Sequence, residues 1–394
     1  MTESDAARSS RRRRPDDRPA GGGRGRGRHS GRADDRFTAT TEALGALALE
    51  GAGVSASVID TSSGKALLGI DDTLVQPVAS LGRVLLLIEV AAQLEDGRLH
   101  GDRLQRMARD TATGAGLWQF LQEPTMQVPD LATLVGATAD AWAMNALLTT
   151  VGIDAVRERA ESLGIERTAL IDRVRDRRGP DDAPDASVAP TGELSWVMRG
   201  LALGEVVDEA VSNRVLGWLS LASDLNLVAG SFGLDPLAHR ALDHGLQVVA
   251  VTGSSTGVRA EAGILRGPGS SVSYAVTVTF DDASLQRRLA VVEALRTMGT
   301  EVLEAVHAPA RRWARLPLPL LLPLLVPSLG PADRSRAQQR RHCPRGRDSG
   351  SADATDGGGC GVAGSGPRDA DRLRAQTQAV DRAPDARRGR IRIR

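Results

Sequence analysis

The order in which hydrophobic patterns follow one another limits the fold of this chain more than any other feature. Two short apolar runs, Val54–Asp60 and Lys65–Ile70, flank Thr61-Ser62-Ser63-Gly64, which predicts a β-hairpin. Over Ala79–Asp96 the period changes: Leu81, Val84, Leu85, Ile88, Ala91, Ala92 and Leu94 recur at helical spacing and predict a strongly apolar, buried helix that Gly97 ends. Helical patterns continue at Asp130–Ala137, Ala141–Val151, Asp154–Leu163, Thr191–Leu203 and Glu205–Ser223. Arg173–Pro190, with Gly179, Pro180, Pro184 and Pro190 among Arg and Asp, predicts a long surface loop between them. Strand patterns return at Leu246–Val251, Gly257–Leu265 and Ser271–Phe280, and Asp282–His307 predicts a long amphipathic terminal helix. Strands and helices segregated in this way predict an α+β fold. The N-terminal strands and the final helix are expected in one sheet layer, with the central helices as a second, all-helical lobe.

Charge separates the body from the ends. Residues 1–36 carry a net of +5 and residues 331–394 a net of +7, which leaves −11 for the stretch between them in a chain of net +1. Only one of the 50 basic residues is a lysine, Lys65. The first segment, with Arg11 to Arg14 and a GGGRGRGR run, has almost no apolar residues to offset the entropy of ordering, and a disordered arm is expected. The segment 309–394 is expected to be a Pro/Leu linker and a disordered Arg-rich tail; GC-rich DNA translated out of frame would give the same composition. Leu316–Leu329 is apolar but broken by Pro317, Pro319, Pro323 and Pro327, so it predicts an extended linker rather than a membrane span. The domain proper is expected over residues 41–308.

Several function classes are excluded or set aside. No run of about 18 uninterrupted apolar residues is present, so no membrane span is expected. Cys343 and Cys360 both lie in the tail, which excludes a disulfide scaffold or a Cys-based zinc site in the core. Aromatics are 3%, too few for stacking platforms that hold single-stranded nucleic acid. The basic ends offer nucleic-acid contact as an alternative to simple solvated extensions. His239 and His244 are wrongly spaced for a helical zinc pair, and no third ligand stands out, so neither metal nor cofactor is expected. No apolar stretch follows the early arginines, so no secretory signal is read and a cytoplasmic, monomeric protein is expected.

The chemistry centres on Ser80, at the start of the buried helix after Val75-Gln76-Pro77-Val78-Ala79. A helix start offers free backbone N–H groups and partial positive charge, which stabilise an alkoxide and an oxyanion. Position i+3 shares the face of Ser80, and a serine acyltransferase needs a lysine there. Here it is Arg83.

At this point the chain resembles the class A β-lactamase and penicillin-binding-protein family over roughly residues 41–308. PVASLGRVLLLIEVAAQLEDGRL is similar to the family's nucleophile helix. TGAGLWQFLQEPTMQVPDLATLVGATADAWAMNALLTTVG is similar to its middle segment, with Asn145 and Leu147-Leu148 in the familiar place. HGLQVVAVTGSSTGVRAEAGIL is similar to the strand of its third motif. The resemblance implies a β-lactamase/transpeptidase-like fold, an antiparallel sheet flanked by helices plus an all-helical lobe. It also implies β-lactam hydrolysis through an acyl-serine, a β-lactam or peptidoglycan-like ligand, and a family that is usually exported.

Carried over by position, the motifs are degenerate. S-x-x-K reads Ser80-Leu81-Gly82-Arg83, and a guanidinium cannot take the serine's proton. S-D-N falls on Ala139-Asp140-Ala141, with only the aspartate kept. K-T-G reads Val251-Thr252-Gly253, without the lysine that would attract a substrate carboxylate, and the N–H of Ser254 would be the second oxyanion donor. The loop glutamate has no counterpart: Thr168–Pro190 offers Asp172, Asp176, Asp181, Asp182 and Asp185 but no E-x-x-L-N pattern, and none is assigned as base. Candidate site residues are therefore Ser80, Arg83, Asp140, Thr252, Gly253 and Ser254.

Structural roles compete at each position. Ser80 suits a helix N-cap. Arg83 suits a salt bridge to Asp140 or Glu89. Thr252-Gly253 suits a strand-to-turn junction. Asn145 suits a hydrogen bond to helix backbone. Trp118, Trp142, Trp196 and Trp218 suit the core. Three functions follow in order: a β-lactamase-like serine hydrolase that has lost most of its catalytic groups, an active serine esterase using Ser80 with an unidentified base, and an Arg-rich nucleic-acid-associated protein.

Overall fold

The computed structural model describes residues 35–105 and 116–307. The expected arm, save its last two residues, and the expected linker and tail over 309–394 lie outside the described residues.

A 3₁₀ turn, Asp35–Phe37, leads into α1 (Thr38–Leu49), β1 (Gly53–Asp60), β2 (Ala66–Ile70) and β3 (Gln76–Pro77). A second 3₁₀ turn, Ala79–Gly82, precedes α2 (Arg83–Glu95) and β4 (Arg103–Gln105). The helical lobe continues through β5 (Thr125–Gln127), α3 (Val128–Thr138), α4 (Ala141–Val151), α5 (Ile153–Ser162), β6 (Ala169–Leu170), β7 (Ser187–Ala189), α6 (Thr191–Leu203) and α7 (Glu209–Leu219). The chain closes with β8 (Gln247–Ser255), β9 (Val258–Arg266), β10 (Ser271–Thr279) and α8 (Leu285–His307).

The five long strands form one antiparallel sheet in the order β2-β1-β10-β9-β8. Successive side chains point to opposite faces. Ala56, Val58, Val248, Ala250, Val276 and Val278 join α1 and α8 in one core. Val251, Ala260, Ala262, Ile264 and Ala275 join the helical lobe in the other. The sheet is thus covered on both faces, and small polar side chains, Ser55, Ser57, Ser273 and Thr277, are buried among its apolar ones. Helix α6 lies against β1 through paired hydroxyls, Ser55 Oγ to Thr191 Oγ1 at 2.6 Å and Ser57 Oγ to Ser195 Oγ at 2.8 Å.

The expected α+β layering is present, and four details differ. Helix α1 carries little amphipathic pattern; only Thr40, Leu44 and Leu47 are buried, and its first N–H groups are satisfied from α8, where Glu301 accepts from Ala39 N at 2.9 Å and Thr40 N at 2.8 Å. The helix expected from Ala79 begins as an α-helix only at Arg83, because the N–H of Gly82 is taken by Ser187 Oγ at 3.1 Å. The helix expected from Glu205 begins at Glu209, where the Asp208 carboxylate caps it by accepting from Val211 N at 2.8 Å. The expected loop ends at Ala186, since β7 pairs with both β3 and β6.

Trp118 and Trp218 are buried, and Trp142 packs against the helical core, as expected. Trp196 is 47% exposed on the outer face of α6, which corrects its core assignment. Among the described residues, no helix is long and apolar enough to cross a membrane.

Candidate functional site

Ser80 sits in the 3₁₀ turn between the sheet and the helical lobe, and β7 and β8 hold that turn from two sides. From β7, Ser187 O accepts from Val78 N at 3.1 Å, and Ser187 Oγ donates to Ala79 O. A Cβ on Gly82 would lie 2.5 Å from the Ser187 Cβ, so only glycine allows this approach. Ala79 takes a left-handed conformation with φ 51°, a strained one for alanine that the surrounding bonds enforce. From the other side, Gly253 of β8 presses on the turn: a Cβ there would collide with Val78 O and come 3.3 Å from Ser80 N.

Arg83 is 2% exposed and reaches back to the serine. Its Nη1 donates to Ser80 Oγ at 2.8 Å, Ser80 O at 3.1 Å and Thr252 O at 2.6 Å. Ser80 Oγ in turn donates to Thr252 O at 3.3 Å. Burial pulls the guanidinium down to about 10, against the opposing charge of Asp224, and it stays cationic at neutral pH.

Two structural assignments are therefore corrected. Ser80 caps no helix: the capping positions are Val78 and Gly82, neither with a side-chain hydrogen bond. Arg83 makes no ion pair with Asp140 or Glu89. Glu89 binds Arg159 at 2.7 Å and Arg98 at 3.5 Å. The Asp140 carboxylate accepts from Leu117 N at 2.6 Å, Trp118 N at 2.7 Å and Ala143 N at 2.9 Å, so it caps α4 and pins the 116–118 turn. All three bonds go to backbone.

Thr252 contributes its carbonyl to this cluster, while its hydroxyl donates to Asp224 Oδ2 at 2.8 Å. Val251 is fully buried in the core shared with Leu81. Ser254 is exposed and continues β8 opposite Arg259. The structure thus gathers Ser80, Arg83, Thr252 and Gly253, with Ser254 next along the strand, while the recorded hydrogen bonds of Asp140 lead elsewhere.

Three residues at the site went unread in the sequence: Ser187, Asp224 and Glu261. Glu261 is fully buried on β9, directly opposite Thr252. One oxygen accepts from Tyr274 OH at 2.6 Å and Ala229 N at 3.0 Å, and the other has no partner. Burial pushes its carboxyl up to about 7; the Tyr274 hydroxyl and the Ala229 N–H offset part of that, and Asp224 adds to it. Burial and the neighbouring Glu261 raise the Tyr274 phenol well above its usual value. A single acid inside the strand VRAEAGILR was the one available signal. Asp224 and Ser187 lie in irregular polar stretches and had none.

The loop after β6 is tied down by its own charges. Asp172 bonds Arg175 at 2.9 Å and Arg178 at 2.8 Å, and Arg175 lies 3.4 Å from Asp182. Burial would raise the Asp172 carboxyl, but hydrogen bonds from Arg175, Arg173 N and Arg178 hold it below its ordinary value. Asn145 bonds loop backbone, donating to Val174 O and accepting from Val174 N, each at 2.9 Å. No recorded hydrogen bond joins a loop carboxylate to Ser80. A cavity of about 190 Å³ lined by Asn145, Leu148, Thr149, Ile153, Asp172 and Arg173 lies beside α4, and none of the Ser80 cluster lines it. Asn145→Ala should cost about 1–3 kcal/mol by stranding two backbone groups of Val174. The drop in Tm should be accompanied by faster proteolysis between residues 172 and 186.

His239 is buried, with Nδ1 3.1 Å from Pro236 O, whereas His244 is exposed. Among the described residues, no three His, Cys, Asp or Glu side chains gather as a metal ion would need.

A helical lobe closed on an antiparallel sheet, with a serine in the turn beside the edge strand, defines the architecture of acyl-serine β-lactamases and penicillin-binding proteins. The model of the Beta-lactamase enzyme family matches residues 39–306, and the chain belongs to that family. Among solved structures, the β-lactamase from Sphaerobacter thermophilus is similar at 21% identity and TM-score 0.60, covering 68% of this chain and 97% of that one. PBP-A is similar at 18% identity and TM-score 0.57, covering 70% and 98%; a mutant of it was solved as an acyl-enzyme complex with penicillin G. The class A β-lactamase from Mycobacterium abscessus is similar at 19% identity and TM-score 0.56, covering 68% and 98%. No curated protein matches the sequence.

Proposed function

We propose that this domain is a β-lactamase-fold serine hydrolase relative in which Ser80 is disarmed, and that its cleft binds an acyl ligand of the β-lactam or peptidoglycan kind without efficient turnover. Arg83 carries this reading. Its Nη1 donates to Ser80 Oγ at 2.8 Å, so the group beside the nucleophile gives a hydrogen bond where a base must take a proton. The acceptor facing the hydroxyl is the Thr252 carbonyl at 3.3 Å, which cannot act as a base near neutral pH.

A general base contributes about 10²–10⁴-fold. Members of a catalytic unit are not additive, so loss of this one cripples acylation whatever the state of positions 139, 141 and 251. The backbone donors near Ser80 and Ser254 would leave on the order of 10³-fold over water, a trace esterase activity. An active esterase would need a carboxylate or imidazole at Ser80 Oγ, and no hydrogen bond of that kind is recorded among the described residues.

Nitrocefin turnover by the full chain, compared with Ser80→Ala, tests the proposal, with intact-mass analysis after penicillin or fluorophosphonate treatment. Turnover indistinguishable from Ser80→Ala, with slow or no adduct formation, is expected. Hydrolysis at about 1–10³ per second that Ser80→Ala abolishes would refute it.

A further inference from the structure

We infer that the cavity beside α4 is a second ligand site, one that takes a small apolar carboxylate of about the size of benzoate, with Arg173 holding the carboxylate and Leu148 and Ile153 the apolar body. None of its lining residues belongs to the Ser80 cluster.

The cavity forms where α4 gives way to α5. Asn145, Leu148 and Thr149 share one face of α4 at i, i+3 and i+4, and Ile153 follows as the first residue of α5. Asn145 closes one side, because its amide is tied to both backbone groups of Val174 at 2.9 Å and so brings the loop against the helix. Leu148 is buried and Ile153 half-buried, and they give the cavity its apolar wall. Its volume of about 190 Å³ has room for one ring; an engineered cavity of about 150 Å³ takes up benzene.

The loop supplies the charge. Over residues 172–178 it carries four Arg against two Asp, a net of +2, within a stretch between the basic ends whose net is −11. The Asp172 carboxylate is already answered. Its Oδ1 accepts from Arg173 N at 2.7 Å and Arg175 Nη2 at 3.3 Å, and its Oδ2 from Arg175 Nε at 2.9 Å and Arg178 Nη1 at 2.8 Å. Arg175 and Arg178 are thereby committed, whereas Arg173 is not. Arg173 is exposed, and its backbone N and O are bonded within the loop. Among the described residues its guanidinium has no hydrogen bond or ion pair. A guanidinium donates through a flat fork that matches a carboxylate. A free fork at the rim of an apolar, ring-sized cavity selects an anion with an apolar body.

Benzoate, benzamide and acetate test this, with affinity for the full-length protein read by ligand-observed NMR titration. Benzoate should bind with a Kd on the order of 1 mM. It should bind about tenfold more tightly than benzamide, which has the ring without the charge, or acetate, which has the charge without the ring. The advantage over benzamide should shrink at about 0.5 M salt. Arg173→Gln should weaken benzoate about tenfold and leave benzamide unchanged. Thr149→Trp, which fills the cavity from an exposed position, should abolish binding of both, with Tm confirming that each variant folds. Benzoate should bind Ser80→Ala as it binds the parent, and it should slow proteolysis between residues 172 and 186. Benzoate no tighter than benzamide, parental affinity in Arg173→Gln, or no saturation by about 20 mM benzoate overturns the site. Loss of benzoate binding in Ser80→Ala would put the carboxylate at the serine and overturn it as well. The disarmed-serine reading rests on nitrocefin turnover and stands or falls apart from these outcomes.

Discussion

Replacing Arg83 by lysine is expected to raise the rate of Ser80 acylation by about 10²-fold, the lower end of what a general base supplies. The surroundings are already those an ammonium needs. Ser80 Oγ, Ser80 O and Thr252 O all lie within 3.1 Å of Arg83 Nη1, and a lysine has three N–H groups to meet them. Burial already drags the guanidinium down to about 10. The same burial acting on an amine brings its proton loss towards neutrality, whereas an arginine keeps its proton throughout.

Turnover should not follow. Among the described residues no loop carboxylate is hydrogen-bonded to Ser80, and the loop acid Asp172 is held by Arg175 and Arg178, so deacylation is expected to stay slow. Arg83→Lys treated with penicillin or nitrocefin should therefore give one equivalent of adduct at Ser80 and then stop. Intact-mass time courses read this directly, with Arg83→Met as the control that removes the cation without adding a base. A folded Arg83→Lys protein acylating within twofold of the parent would show that the missing base is not what silences Ser80. The cause would then lie at Ala139, Ala141 or Val251.

Parts of this site were legible in the sequence because the geometry is local. Ser80 and Arg83 are three residues apart at a helix start, and the contact follows from helical spacing. The meeting of β8 with the serine was not local; it came from the order of three segments, and Gly253 shows why a glycine stands there. The sheet was legible because its strands are nine residues long in three cases and covered on both faces. Strands β3 to β7 have two or three residues each, too short to display any period. Helix α1 escaped for another reason: its N-terminal N–H groups are satisfied by Glu301, at the far end of the domain in sequence, and no local pattern announces that. Asp140 shows the limit of residue identity. The carboxylate is kept, yet its recorded bonds hold a turn and a helix, a role that residue identity alone could not separate from a catalytic one.

Glu261→Gln is expected to reverse the order of stability between acid and mildly basic pH. The Glu261 carboxyl is raised by burial from 4.5 to about 7. Below 4.5 the folded and unfolded chains both hold the proton. Between 4.5 and about 7 the unfolded chain releases a proton that the folded chain keeps, so stability falls as pH rises. Above about 7 the folded state ionises too, and the loss levels off at about 3 kcal/mol. Glutamine keeps an oxygen for Tyr274 OH and Ala229 N and never ionises, but it places an N–H₂ where the second carboxyl oxygen has no partner. That should cost about 1–3 kcal/mol in acid. The parent should thus be the more stable protein at pH 4.5 and the variant at pH 8, read as the difference between urea unfolding curves so that shared titrations cancel. Parallel curves across this range would remove Glu261 as the source. The same experiment reaches the Ser80 cluster, because Asp224, bonded to Thr252, is one of the groups that raise Glu261. Asp224→Asn should move the upper edge of the pH window downward, since removing one negative charge makes the second easier to form. Asp224, which accepts from the Thr252 hydroxyl, and Glu261, buried opposite Thr252, are then two ends of one electrostatic unit.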